Sequence, residues 1–368
     1  MKKSKTKRKN KKNRRRLKKG PKLFLLLIFL IALFLILKKS LDNYNITFNN
    51  TYDYLINKVN EQKQKQQEKK QQEDKKKQDE EYNICLNQKY TEEEKNEELK
   101  TIEDELTDYL KKYNLSIKFV DIKTNYTYSY NEKKVYYAAS TIKMLDAIYI
   151  YRNALEGNLD LDSTKKYTKN FKVAYSAGLE KYKIGSMVSL RNLVKYAVTV
   201  SDNSAHQMLV DYIGFNNLKK YGNSLGAKNT LIGGDNFGQI DVNDSIIYLT
   251  ELYNFIEENS NLSEELKSYF VESDENFLKD EENNIEAATK YGEYGNTFHN
   301  NGIVYTENPY LLSILTNLGK KKGSGIIKTI NQKVQKLQNE VFENHTNYCQ
   351  QKIYSVQNDV NNFWKCLK

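Results

Sequence analysis

The sequence predicts a folded domain of the mixed α/β class in its segregated α+β form: one antiparallel sheet flanked by terminal helices, with an all-helical subdomain between the sheet's two halves. Three observations carry this. Apolar residues recur at helical spacing just after residue 101 and again after residue 324. Period-two alternation follows the first of these helices and returns before the last. The stretch from 140 to about 270 reads mostly as helices and loops.

The first helix is marked by Ile102, Leu106, Tyr109, Leu110 and Tyr113, which fall on one face. Leu115, Ile117 and Phe119 then alternate along one strand and Tyr126, Tyr128 and Tyr130 along the next, with the polar segment between them supplying the turn. Strand patterns return in IEAATKYGEYG, FHNNGIVYTE and PYLLSILT, and Pro309 falls in the turn between the last two, where no ladder donor is needed. Ser324 is a suitable N-cap for a final helix whose buried face is Ile326, Ile327, Ile330, Val334, Leu337 and Val341. Two parts of this kind leave a cleft between sheet and helices as the expected site. Residues 343–368 fit no element.

Composition divides the rest of the chain. The 22 N-terminal residues hold 14 of the 58 basic side chains and no acid, so the remainder carries 44 basic against 47 acidic residues. The net charge of +11 is therefore a property of the tail. A basic tail can bind nucleic acid, but here an apolar run follows immediately, and the reading is membrane, with no nucleic-acid partner. That run, Leu23 to Leu37, has 15 residues without a polar side chain, between Lys22 and Lys38-Lys39. It spans roughly 22 Å of helix against a hydrocarbon core of about 30 Å, and snorkelling lysines with local thinning would make up the difference. A cleaved signal peptide is the rival, but KKSLDNYN offers no small-x-small cleavage site. The expectation is a single-pass signal anchor at 23–37, residues 1–22 inside the cell, and the rest on the extracellular side. Residues 38–100 are expected to form a polar stalk, helical or disordered, since 57–81 holds one apolar residue among Lys, Gln and Glu and cannot bury a core. The folded domain is 101–342, followed by a C-terminal extension at 343–368.

An external location would permit a disulfide, Cys349 with Cys366 being one pairing, and the odd count leaves a third cysteine, Cys85, alone. No Cys-x-x-Cys pair occurs, and His206, His299 and His345 are scattered, so the expectation is no metal and no cofactor, with the histidines in ordinary structural or surface roles.

The chemistry begins with YYAASTIKMLDA at 136–147. Ser-x-x-Lys occurs three times, at Ser4/Lys7, Ser140/Lys143 and Ser163/Lys166, but only at Ser140 does a helical apolar pattern follow and a short β-like run precede. A serine hydroxyl is a poor nucleophile until a base accepts its proton, and a lysine one turn away on the same face can reach it. Two further boxes follow in order, Ser201-Asp202-Asn203 and Lys290-Tyr291-Gly292. Taken singly, the former reads as a helix N-cap and the latter as an exposed strand next to a turn.

Together, the three boxes resemble the penicillin-recognising serine acyltransferases and hydrolases, and most closely the class A β-lactamase-like domain with its S-x-x-K, S-D-N and K-T-G motifs. The likeness covers about 101–342. It implies a β-lactamase/transpeptidase-like fold and an acyl-enzyme on Ser140 formed from a β-lactam or a D-alanyl peptide of the bacterial cell wall. It also implies Lys143 as base, with its pKa lowered by burial and by a charged Lys290. Ser201 would relay a proton to the leaving nitrogen, and Asn203 would bind the acyl-side carbonyl while Asp202 orders the loop. Lys290 would attract the substrate carboxylate, Gly292 would let the strand approach the acyl group, and the backbone N–H groups of Ser140 and Glu293 would form the oxyanion hole.

Two departures keep alternatives open. Tyr291 stands where Thr or Ser is usual and alters carboxylate recognition. The Glu-x-x-Leu-Asn loop that carries the deacylating base of class A enzymes is replaced by AKNTLIGGDNFGQIDVNDSIIYL, which holds Asp235, Asp241 and Asp244 but no glutamate. A β-lactamase, a D,D-peptidase with slow deacylation and an inactive module that binds wall peptides or a partner all remain compatible. The sequence says nothing of oligomeric state.

Overall fold

The computed structural model describes the backbone of residues 19–41 and 49–366 and the side chains of 24–39 and 54–353. The chain divides near residue 78 into two compact units. The first contains α1 (Lys19–Leu41) and most of α2 (Asn49–Leu86). The described side chains of α2 within this unit are almost all solvated, and its Lys69–Glu73 pair, 3.8 Å apart and exposed, adds little stability. Among the described residues no helix is long and apolar enough to cross a membrane. The uncharged part of α1 falls short of the hydrocarbon thickness by roughly 8 Å.

The second unit is built on a five-stranded antiparallel sheet with strand order β2-β1-β9-β8-β7. Its strands are β1 (Leu115–Asp121), β2 (Thr127–Tyr130), β7 (Glu286–Tyr294), β8 (Thr297–Tyr305) and β9 (Tyr310–Thr316). Strands from the two ends of the domain meet where Ile117 pairs with Ile314 and Phe119 with Leu312. The sheet is therefore complete only when the chain returns from its helical excursion.

One face is covered by α3 (Glu97–Leu110) and α10 (Gly319–Cys366), which sandwich Phe119, Tyr310 and Ile314 against Leu106, Leu110, Ile327, Ile330 and Val334. The other carries the helices α4 (Lys143–Leu155), α5 (Leu190–Thr199), α6 (Asn203–Ile213), α7 (Phe215–Ser224), α8 (Val242–Ile256) and α9 (Asn261–Val271). Four short strand pieces complete the pairing in this region. β4 (Thr164–Lys166) pairs with β5 (Met187–Ser189), and β3 (Tyr136–Tyr137) with β6 (Gln239–Ile240). Because both faces are covered, every residue of β9 and all but the last of β8 are buried, and polar residues such as Asn300, Asn301 and Ser313 lie inside. Asn301 and Ser313 satisfy each other across the pair, Ser313 Oγ donating to Asn301 Oδ1 at 2.9 Å.

The final helix begins at Gly319, ahead of the expected cap Ser324, and continues to Cys366. The residues left unassigned after 342 are thus helical that far. Their burial is polar, which is why no apolar stripe announced it. Asn344 Nδ2 donates to the Tyr90 hydroxyl at 2.8 Å, and His345 Nδ1 meets the buried Glu94 carboxylate at 2.6 Å. Cys349 is disulfide-bonded to Cys85, 264 residues away. The Cys349–Cys366 pairing expected from sequence is therefore wrong, because folding brings the end of α2 rather than the end of α10 to Cys349; Cys366 lies outside the described side chains.

All three histidines are buried and partnered. His299 donates from Nε2 to the Tyr137 carbonyl at 3.0 Å and accepts from the Thr316 N–H at Nδ1. Burial lowers its pKa to about 4, so it holds the strand ahead of Ser140 as a neutral ring. Among the described residues no cluster has the make-up of a metal site.

The Cys85–Cys349 bond closes a long loop, and Cys85→Ser is expected to lower the unfolding free energy by roughly 2–4 kcal/mol. Denaturant titration by circular dichroism checks this; unchanged stability would show that the bridge does not constrain the unfolded chain.

Candidate active site

Ser140 lies in a 3₁₀ turn, Ala139–Ile142, immediately before α4, whose first residue is Lys143. With three residues per turn, positions i and i+3 eclipse, so this winding places the amine over the hydroxyl more directly than an α-helix would. The Lys143 Nζ to Ser140 Oγ distance is 3.0 Å. Ala139, the residue before, has φ +48°, a left-handed conformation that costs a non-glycine residue of order 1–3 kcal/mol. Surrounding bonds hold it. The Ala138 N–H donates to the Gly238 carbonyl at 3.1 Å, and Thr141 Oγ1 donates to the Ala138 carbonyl at 2.6 Å.

Lys143 is fully buried. Its amine lies 2.5 Å from the Ser201 carbonyl oxygen and 2.7 Å from Asn203 Oδ1. Neither oxygen can donate, so both take an N–H of the amine. The Asn203 amide is oriented by its own Nδ2, which donates to the Ala174 carbonyl at 3.0 Å. A neutral amine has only two N–H bonds, and with both engaged its lone pair is left for the Ser140 proton. Desolvation lowers the Lys143 pKa to about 7, against the opposing fields of Asp146 and Asp202.

Ser201 precedes α6 with φ +56°, which turns its side chain away from the helix axis while Asp202 becomes the N-cap. Asp202 accepts from the N–H groups of Ala205 at 2.7 Å and Leu179 at 2.8 Å. The second box thus serves as helix cap and cleft wall at once: Asp202 caps and orders the loop, while Ser201 and Asn203 line the cleft.

Lys290, on the edge strand β7, donates to Ser201 Oγ at 3.0 Å, and that oxygen is 3.3 Å from Lys143 Nζ. One hydroxyl therefore connects the two amines. Lys290 is fully buried, its second partner is the Tyr291 carbonyl at 3.0 Å, and the Tyr291 ring centroid lies 4.2 Å from its nitrogen. Burial, then repulsion from Lys143, pushes its pKa well below the ordinary lysine range, opposed by Asp274. Both lysines are lowered, which differs from the expectation of one neutral and one charged. The reason is that no carboxylate among the described residues forms an ion pair with either.

Gly292 also meets a packing demand within the protein. A Cβ there would lie 2.9 Å from Thr141 Cγ2, 3.0 Å from the Ala138 carbonyl oxygen and 3.1 Å from the Thr141 nitrogen. The glycine makes room for the turn that carries Ser140. Tyr291 packs its ring against Lys290, and burial raises the pKa of its phenol, so it stays protonated. Glu293 also lines the cleft.

That cleft, about 520 Å³, further includes Tyr137, Tyr175, Val200, Phe237 and Tyr294. These aromatic residues were not singled out from the sequence. They come from separate loops and strands in a chain of 29 tyrosines, and no spacing marks them. Phe237, in the segment that lacks a glutamate, lies with its ring centroid 5.8 Å from Lys143 Nζ and 4.8 Å from the His206 ring. His206 in turn holds the segment, through Nδ1 to the Asp146 carboxylate at 2.5 Å and Nε2 at 3.1 Å from the Asn236 carbonyl. The three aspartates of this segment bind backbone instead of facing the cleft. Asp235 accepts from the Phe237 and Gly238 amides, Asp241 caps α8, and Asp244 accepts from the Lys228 and Asn229 amides.

The sequence model of the β-lactamase enzyme family matches residues 100–338. The chain belongs to the β-lactamase enzyme family. Solved structures similar to this family member include a β-lactamase from Sphaerobacter thermophilus, at 17% identity and TM-score 0.57, covering 66% of this chain and 97% of that one. An acyl-enzyme complex of a PBP-A variant with penicillin G aligns at 18% identity and TM-score 0.57, over 64% and 95% of the two chains. An ancestral class A β-lactamase of Gram-negative bacteria aligns at 20% identity and TM-score 0.54, over 65% and 98%. At these identities the likeness is one of fold, and it extends over nearly the whole of each relative.

Gly292→Ala is expected to push β7 from the Ser140 turn and slow covalent labelling of Ser140 by about 10²-fold, the cost of a displacement near 1 Å. Labelling rates with a fluorescent penicillin test this; a rate within about threefold of wild type would mean the contact is compliant.

Proposed function

We propose that this domain is a serine acyltransferase or hydrolase that forms an ester on Ser140 from an amide acyl donor, a β-lactam or a D-alanyl peptide of the cell wall. The observation that carries the reading is the 3.0 Å approach of Ser140 Oγ to an amine whose two N–H bonds are already engaged by fixed acceptors. Ser140 Oγ attacks the donor carbonyl while its proton passes to Lys143 Nζ. The oxyanion develops toward the backbone N–H groups of Ser140 and Glu293. Ser201, between the two lysines, delivers its proton to the leaving nitrogen as the C–N bond breaks and takes one in its place from the Lys143 ammonium, 3.3 Å away.

Deacylation requires a base that activates water, and its loss typically slows a step by about 10²–10⁴-fold. Among the described residues Glu293 is the one carboxylate lining the cleft, and Phe237 presents an apolar ring near Lys143. This favours a long-lived ester, hence a penicillin-binding or D,D-peptidase role over antibiotic destruction. We further propose that Leu23–Leu37 anchors the chain in the cell membrane, with its catalytic domain outside. The lysine-flanked apolar run supports this, as does the Cys85–Cys349 disulfide, which belongs to an oxidising compartment.

Intact-mass analysis of the full chain with millimolar penicillin G is expected to give one stable adduct, absent in Ser140→Ala and with little turnover of a chromogenic cephalosporin. Rapid turnover would make the protein a β-lactamase, and no adduct would leave a binding module. Lys143 must be unprotonated to accept the Ser140 proton, and its pKa is lowered to about 7. The acylation rate should therefore rise about tenfold per pH unit below that value and level off above it. Pre-steady-state labelling between pH 5 and 9 measures this; a flat profile would remove Lys143 as base.

A further inference from the structure

We infer that the cleft does not recognise its acyl donor through a carboxylate along β7, and that among amide donors it favours a leaving end that is neutral or, preferentially, an ammonium. The inference rests on the acyl-transfer reading and ranks its donors by the charge of the leaving end.

Charge and access carry it. Lys290, the cation that the strand offers, has no exposed surface. Its bonds go to Ser201 Oγ and the Tyr291 carbonyl, and the Tyr291 ring packs against it. A substrate carboxylate would have to displace that ring and charge a desolvated amine beside a second one. The next cation, Lys320, lies outside the cleft lining and is held between two acids, 2.5 Å from Glu275 and 3.9 Å from Glu293. Among the described residues that line the cleft, Glu293 has the one formally charged side chain. Next to it, Tyr294 is exposed, with its ring centroid 5.2 Å from that of Tyr137. A carboxylate beside accessible aromatic faces attracts an ammonium and repels an anion, by direct charge and by the negative faces of the rings. Burial of Lys290, which favours its neutral form, acts in the same direction.

The test uses the full chain carrying Ser140→Ala, so that binding is read apart from acylation. Its probes are N-acetyl-D-alanyl-D-alanine as the free acid, the C-terminal amide and the 2-aminoethyl amide, titrated at low salt. The aminoethyl amide is expected to bind about tenfold tighter than the acid, with the amide between. Adding Glu293→Gln should remove the advantage of the ammonium, and adding Tyr291→Thr should move the preference toward the acid. Equal or tighter binding of the acid overturns the inference, as does no binding by any of the three probes. Failure of wild-type protein to form an ester with any donor would instead overturn the acyl-transfer reading, and the affinity order in Ser140→Ala would still decide the charge preference.

Discussion

A lysine amine stripped of water, with no carboxylate paired to it, is the constraint from which the site follows. In water the amine would be protonated and useless as a base. Buried at Lys143, it is offered two oxygens that accept and cannot donate, so the favourable arrangement spends both N–H bonds of the neutral form on them and leaves a lone pair. Desolvation penalises the charged form and outweighs the opposing fields of Asp146 and Asp202.

The fold is arranged to maintain that burial. The sheet edge β7 must lie flush against the Ala138–Thr141 turn, which a side chain at 292 would prevent. The segment around Asn236 and Phe237 closes the opposite side, tied down by a buried His206–Asp146 pair. Two non-glycine residues with positive φ, Ala139 and Ser201, lie at the points where the chain must turn sharply to present its hydroxyls. Strain at such positions persists only when the surroundings fix it, and here hydrogen bonds from neighbouring backbone and side chains do so.

The same closure narrows what the cleft can receive. A buried lysine bonded to Ser201 and to the Tyr291 carbonyl cannot also reach out to an anionic ligand. The Tyr291 ring, the missing glutamate and Glu293 as the charged cleft residue all bear on specificity and turnover. None alters the relation of Ser140 to Lys143.

The sequence by itself determined the order of elements and the three boxes, because periodicity and i, i+3 spacing are local and follow from helix and strand geometry. It marked the apolar run and the polar 57–81 stretch for the same reason. What it left open depends on contacts distant in sequence. The partner of Cys349, the polar burial that extends α10 beyond 342 and the aromatic lining drawn from 137, 175, 237 and 294 have no local signature. Nor does the contact that Gly292 relieves, or the burial that lowers the Lys290 pKa. Desolvation is a sum over everything packed around a group, so only the assembled tertiary structure could lower the pKa of these lysines and, with it, set the character of the cleft.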